Sequence, residues 1–150
     1  MLKKITLILL LCFLWSCGYE PVYLKKNNLK QIINVATLDG DQKINKMIMS
    51  SLGINEDKNS TSGYTLSLKS SKKIEVISKD KSGNPSVYRS SIIVNFSLAD
   101  KKKIVKQKEF YSSFTYNNSQ NKFDLSQYQK NIELNLINEI SEKIFIYLRT

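Results

Sequence analysis

Between residues 64 and 116 the chain alternates apolar and polar side chains with a period of two, which is typical of a sheet covered on one face. The alternation is clearest where one face is formed by Tyr88, Ile92, Val94, Phe96 and Leu98 and the other by Arg89, Ser91, Asn95 and Ser97. We expect the strand before it to place Tyr64, Leu66, Leu68, Ile74 and Val76 on the apolar face. We expect the strand after it, residues 104–116, to place Phe110, Phe114 and Tyr116 there. Turns are predicted at Ser82-Gly83-Asn84-Pro85 and at residues 100–103.

Helical spacing appears on both sides of these strands. Ile44, Met47, Ile48 and Leu52 form one stripe of a short helix that Asp39 or Asp41 would cap and Gly53 would end. A β-branched segment at residues 29–38, followed by an Asp39-Gly40 turn, predicts a first strand. A long helix is predicted over residues 124–148, with Ser126 and Gln129 as its capping box. Its buried stripe would contain Leu125, Tyr128, Ile132, Leu136, Ile140, Ile144 and Tyr147, widened by Leu134, Ile137, Phe145 and Ile146.

This order of elements predicts an α+β fold. We expect a two-layer sandwich in which a four-stranded, mostly antiparallel sheet carries two helices on one face. Residues 29–150 would form this single domain. If the first two strands are parallel, the helix between them forms a crossover, which should be right-handed.

The first residues resemble an export leader. Lys3 and Lys4 precede an apolar run of about eleven residues, which is too short to span a membrane but fits a signal peptide. Leu14-Trp15-Ser16-Cys17 has the pattern of a lipobox, so residues 1–16 are predicted to be removed and Cys17 to carry lipid. Residues 17–28 would be the lipidated tether. A plain secretory signal with an incidental Cys17 is the alternative. Gly18, in place of an aspartate, favours the outer membrane, on its periplasmic side.

The composition argues against several kinds of chemistry. The chain has no histidine, and its two cysteines, Cys12 and Cys17, both lie at the start. A disulfide framework and a cysteine metal site are therefore not expected. No nucleophile elbow, phosphate loop, zinc motif or positioned carboxylate pair is present. We expect no catalytic residues, no metal and no cofactor, although an envelope enzyme that uses only lysine, serine and aspartate stays open.

The net charge of +10 gives the chain a basic surface. Such a balance suits nucleic acid, an anionic membrane or an anionic glycolipid, and the leader argues against nucleic acid. Candidate phosphate contacts are Arg89 and the lysines in two groups, with Lys72, Lys73, Lys79 and Lys81 near one hairpin and Lys101, Lys102 and Lys103 in the next turn. The plainer explanations are solvated turns and the lysine bias of an A+T-rich genome. The opposite, polar sheet face, which includes Tyr111, is likewise either solvated or docked against a polar protein wall.

Several segments resemble the LptE family of lipopolysaccharide-assembly lipoproteins in its alphaproteobacterial form. Cys17-Gly18-Tyr19-Glu20-Pro21-Val22-Tyr23 is similar to the start of the mature family members. The Tyr64-x-Leu66-x-Leu68 strand and the alternating run from Arg89 to Asp100 are similar to family strands. Phe110-x-x-x-Phe114-x-Tyr116-Asn117 resembles the end of the last strand, ahead of the long final helix. The resemblance spans the mature chain, and the order of its motifs carries it.

The resemblance implies a structural role without catalysis. LptE-like proteins plug the LptD β-barrel and help to assemble it for insertion of lipopolysaccharide into the outer leaflet. The expected partners are thus an LptD-like barrel, the membrane through the lipid anchor, and lipopolysaccharide. The alternative is a lipoprotein adaptor for a different barrel or envelope complex.

Overall fold

In the computed structural model, which describes residues 33–54 and 64–149, four strands form one sheet and two helices pack on one of its faces. The elements are β1 (Ile33–Gly40), α1 (Gln42–Leu52), β2 (Tyr64–Lys79), β3 (Pro85–Asp100), β4 (Lys103–Asn117) and α2 (Lys122–Arg149). The strand order is β1-β2-β3-β4. β1 pairs with β2 in parallel, and the other two pairs are antiparallel. The predicted two-layer α+β arrangement is confirmed. The predicted leader, Cys17 and tether lie outside the described residues.

Helix α1 has the predicted caps. The Asp41 carboxylate accepts a hydrogen bond from the Ile44 backbone N–H at 3.1 Å, which satisfies one of the free donors of the first turn. Gly53 ends the helix with φ at 71°, a left-handed conformation that glycine adopts without steric cost. Asp39 and Gly40, predicted as a turn, instead complete β1. The connection from β1 into α1 is correspondingly short.

The beginning of α2 differs from the predicted capping box. The helix begins at Lys122, and the Asn121 side chain accepts hydrogen bonds from the backbone N–H groups of Phe123 at 3.0 Å and Asp124 at 3.4 Å. Ser126 therefore lies inside the helix. Gln129 donates to the Tyr116 hydroxyl of β4 at 2.9 Å instead of closing a cap. The predicted cap is wrong because the helix begins before its apolar stripe: Asn121 caps it four residues before Leu125, the first residue of that stripe.

The core lies between the sheet and the helices. Its buried side chains include Leu66 and Leu68 of β2, Val94 and Phe96 of β3, and the α2 stripe Ile132, Leu136, Ile137, Ile140 and Ile144. Phe96 contacts Phe110 and Tyr147 edge to face, with ring centroids 6.3 and 6.1 Å apart. The predicted register of β3 is therefore correct.

Five residues predicted to be buried are instead exposed by 43% to 62%: Ile74, Val76, Phe114, Tyr128 and Ile146. Ile74 and Val76 are exposed because of the position of α1. Asp41, at the start of α1, donates its backbone N–H to the Ser70 carbonyl at 3.0 Å, so this helix begins level with Ser70. β2 continues for nine residues beyond that level, to Lys79, without α1 beside it. Periodicity predicts which face a residue occupies but not where the covering helix ends.

A buried carboxylate joins three elements. Glu133 of α2, 6% exposed, accepts from Lys43 of α1 at 2.7 Å and from Lys72 of β2. Burial raises the pKa of Glu133, but the two lysines outweigh it, so the pKa lies below the ordinary 4.5. The ion pairs thus hold both helices to the sheet.

We expect Glu133→Gln to destabilise the domain at neutral pH by about 1.5–3 kcal/mol, the usual range for losing hydrogen bonds to charged groups. Because the folded pKa lies below the unfolded one, the contribution of Glu133 is present above pH 4.5 and disappears as the pH falls through the lowered pKa. Denaturant unfolding across the acid range should therefore show the variant and the parent converging at low pH. A constant difference at every pH would contradict this assignment.

Candidate functional site

The sheet face opposite the helices, here called the open face, is the candidate functional surface. It is formed by alternate residues that cross-strand pairing brings into rows: Thr65, Ser67, Lys69, Ser71, Lys73 and Glu75 of β2, Arg89, Ser91, Ile93, Asn95 and Ser97 of β3, and Gln107, Glu109, Tyr111, Ser113 and Thr115 of β4. Neither helix covers these positions, because both helices pack on the other face of the sheet. On that face the Ser112 hydroxyl of β4 donates to Glu139 of α2 at 2.6 Å.

The open face is electrically balanced. Lys69, Lys73 and Arg89 are its cations and Glu75 and Glu109 are its anions, and Asp39 of β1, which lies opposite Lys69, adds a third carboxylate. Lys69 contacts Asp39 at 3.0 Å and Lys73 contacts Glu75 at 2.6 Å. The hydrogen bond from Lys69 lowers the pKa of Asp39, and the hydrogen bond from Lys73 lowers the pKa of Glu75. These pairs leave the face polar without an excess of either charge.

An apolar spot lies among these polar residues. Ser71, Ile93 and Tyr111 are directly opposite one another on the three strands. Tyr111 is 51% exposed. Tyrosines within a polar surround are enriched among the residues that dominate protein–protein binding. The sequence pattern placed Tyr111 on this face but did not show that Ile93 lies beside it.

The predicted phosphate contacts do not form one site. Arg89 lies on the open face, opposite Glu75 on one side and Thr115 on the other, and its Nε donates to the Thr115 hydroxyl at 3.4 Å. Lys73 lies beside this row. Lys72 points to the helix side, where Glu133 engages it. Arg89 and Lys73 are therefore neighbours, whereas Lys72 is on the other side of the sheet.

The two lysine-rich turns lie at opposite ends of the sheet. The turn of residues 80–84, next to Lys79 and containing Lys81, marks what we call the hairpin end. The turn of Lys101 and Lys102 marks the entry end, named for β1, which enters the domain there: Ile33 pairs with Tyr64, Thr65 with Ala99, and Ala99 with Ile104. A 16-residue strand separates the two ends by roughly 50 Å. No small ligand could contact both.

The entry turn is tighter than predicted. Lys101 and Lys102 alone connect β3 to β4, and both have positive φ, 44° and 75°, as a two-residue type I′ hairpin turn requires. Lys103 already belongs to β4 and lies opposite Asp100 in the pairing of β3 with β4. The geometry therefore presents Lys101 and Lys102 at the tip.

In the described ranges, no cluster of acidic, cysteine or histidine side chains is arranged to hold a metal ion. Neither helix of this part of the chain is long and apolar enough to cross a membrane.

The fold is similar to that of several solved lipoproteins. Rare lipoprotein B from Shewanella oneidensis matches with a TM-score of 0.62 at 12% identity, over 78% of this chain and 92% of that one. A minor lipoprotein from Acinetobacter baumannii matches with a TM-score of 0.59 at 9% identity, over 77% and 88%. A Caulobacter crescentus lipoprotein matches with a TM-score of 0.58 at 16% identity, over 82% and 90%.

At these identities the likeness concerns the fold. No model of a known protein family matches the sequence, and no curated protein sequence matches it. The chain therefore has the two-layer fold that these three bacterial lipoproteins share.

Proposed function

We propose that this protein is a non-enzymatic outer-membrane lipoprotein that docks into a large β-barrel of the LptD type and helps to assemble it for insertion of lipopolysaccharide. Lipid on Cys17 would anchor it on the periplasmic side. The observation that carries the proposal is the open face, a charge-balanced polar sheet surface with an exposed tyrosine near its centre. The lipobox, the similarity to LptE motifs and the fold shared with solved lipoproteins all support it.

The open face suits the lumen of a barrel. The interior walls of membrane barrels are polar, so a matching surface needs hydroxyl and amide groups with paired charges, as found here. The size also fits. A domain of this length has a radius of gyration of roughly 14 Å, and barrels of about 22 strands enclose plugs.

The hairpin end adds a second contact surface. Ile74, Val76 and Phe114, on the helix side, are each exposed by 43% to 46%, beyond the level at which α1 begins. Exposed apolar side chains gathered at one end of a domain commonly mark an interaction site. We propose that this end enters the lumen first.

We propose that direct contact with lipopolysaccharide centres on Arg89 and Lys73. The Arg89 guanidinium offers a planar pair of donors that suits a phosphate, and Lys73 adds a second positive charge nearby. Such a contact should weaken as salt rises, because exposed charges are screened within about 8 Å at physiological ionic strength.

Depletion of the protein tests the proposed function. Loss of the protein should leave the LptD-like barrel misassembled and reduce lipopolysaccharide at the cell surface, because the barrel would lack its plug. Immunoblotting of the folded barrel and surface labelling of lipopolysaccharide would be followed together in one strain. A normal barrel and normal surface lipopolysaccharide, with a change in another envelope polymer, would favour the alternative of an adaptor for a different complex.

A further inference from the structure

The entry end concentrates lysines that form no ion pair with the described residues. In the part of the chain that the structure describes, the ion pairs involve Lys43, Lys69, Lys72, Lys73 and Lys143. None of these pairs involves Lys101, Lys102, Lys103, Lys106 or Lys108. The ammonium of Lys106 donates to the Tyr147 carbonyl at 2.9 Å, and Lys108 lies 5.3 Å from the centre of the Tyr147 ring. Lys46, Lys79, Lys81, Lys122 and Lys130 are also outside these pairs but are spread over the rest of the domain, whereas the entry end has five such lysines within residues 101–108.

Exposed apolar side chains accompany these lysines. Ile104 and Val105, which directly follow the turn lysines along β4, are exposed by 56% and 47%. Ile146 is 62% exposed in the last turn of α2, next to Tyr147, which contacts β4. Aliphatic side chains beside lysines are the composition of surfaces that lie on an anionic membrane, where the lysines meet phosphates and the aliphatic groups enter the headgroup region.

The position of the proposed anchor points to the same end. Sixteen residues, from Cys17 to residue 32, separate the lipidated cysteine from β1, and even fully extended they span at most about 55 Å. That reach is close to the length of the long strands. The entry end therefore stays within about 55 Å of the membrane in every arrangement of this segment. The hairpin end could touch the membrane only if this segment were almost fully extended.

We propose that the entry end is a membrane-contact surface, in which Lys101, Lys102 and Lys103 bind the anionic phospholipid headgroups of the leaflet that holds the anchor. The proposal rests on the lipid anchor of the proposed function and goes beyond it. Before it meets its barrel, the anchored domain would stand on its entry end. Its open face and hairpin end would then remain free for docking.

Two tryptophan variants test this orientation. Trp15 is the single tryptophan of the sequence and lies in the predicted leader, so the introduced residue would be the only source of tryptophan fluorescence in the predicted mature chain. Val105→Trp places a probe at the entry end and Ile77→Trp a matched probe at the hairpin end, since the two positions are exposed by 47% and 45%. The lipidated mature proteins would be bound to phosphatidylcholine vesicles with or without phosphatidylglycerol, some made with brominated acyl chains.

We expect the probe at position 105 to shift its emission to shorter wavelength and to be quenched by brominated chains when phosphatidylglycerol is present. The probe at position 77 should show neither effect. Replacing Lys101 and Lys102 by Asn, which tolerates positive φ, should lower the ratio of contacting to non-contacting molecules by roughly fivefold per lysine. The matched removal of charge at the hairpin end, Lys79→Gln with Lys81→Gln, should leave it unchanged.

Three results would overturn the proposal. The first is equal quenching of the two probes, or no quenching of either probe. The second is quenching at position 105 that does not depend on phosphatidylglycerol or on the turn lysines. The third is quenching that appears only when lipopolysaccharide is added to the vesicles. Vesicle flotation, with Cys17→Ala as the unanchored control, reports separately on the anchor, and co-purification with the barrel reports separately on docking.

Discussion

Phe96→Ala should lower the free energy of unfolding by about 3–5 kcal/mol, as the removal of a buried aromatic side chain usually does. Phe96 is 1% exposed at the middle of β3 and contacts aromatic rings of both β4 and α2. The smaller side chain would leave a cavity between the sheet and the helix. Since small domains have total stabilities of about 5–15 kcal/mol, the loss would be a large share of the whole.

The matched control is the next residue. Ser97 lies on the open face, so Ser97→Ala removes no core contact and should change stability by about 0.5 kcal/mol or less. Chemical denaturation of both variants measures the difference. Equal losses would mean that the assignment of the two faces of β3 is wrong.

Gly40→Ala should be about as damaging, for a reason of backbone geometry. Gly40 has φ at 77°, and a Cβ atom built on it would lie 2.0 Å from the backbone oxygen of Ser70. That oxygen also accepts the hydrogen bond from Asp41 that positions the start of α1. An alanine must therefore displace either β2 or α1, in addition to the left-handed backbone cost of about 1–2 kcal/mol. We expect a total loss of about 3 kcal/mol or more.

Gly83→Ala is the control for that prediction. Gly83 has φ at 85°, but no atom lies within 4 Å of the position that an alanine methyl group would take, because this glycine occupies the exposed turn between β2 and β3. Only the cost of the left-handed backbone should remain. Thermal unfolding that shows the same loss for both alanines would exclude the close approach of Gly40 to Ser70 as the cause.

The architecture could be predicted because period-two alternation and helical spacing are local properties of the chain. Ile92, Val94, Phe96 and Leu98 of β3 are buried as the pattern predicts. Ile74 and Val76 of β2 are not, since their burial depends on how far α1 extends. That extent is determined by the tertiary hydrogen bond between Asp41 and Ser70.

The candidate site was predicted less completely. Alternation assigned the polar residues to one face, but their balance depends on cross-strand partners such as Lys69 with Asp39, which come from segments far apart in sequence. Glu133 was overlooked for a different reason. It lies four residues before Ile137, on the buried stripe itself. A carboxylate at that helical spacing was the signal in the sequence for a buried ion pair. Its partners, Lys43 and Lys72, belong to other elements.

The central claim, that the open face docks against a large β-barrel, is tested most directly by one pair of variants. Asn95 is exposed near the middle of the open face, and Asn138 is exposed on α2. The lipidated protein would be purified with its membrane partners from cells that carry Asn95→Arg or Asn138→Arg, and the barrel recovered with each would be measured. We predict that Asn95→Arg loses the barrel, because the much longer charged side chain would hold the open face away from the barrel wall, while Asn138→Arg retains it. Full recovery of the barrel with Asn95→Arg, or equal loss with both variants, would contradict docking through the open face.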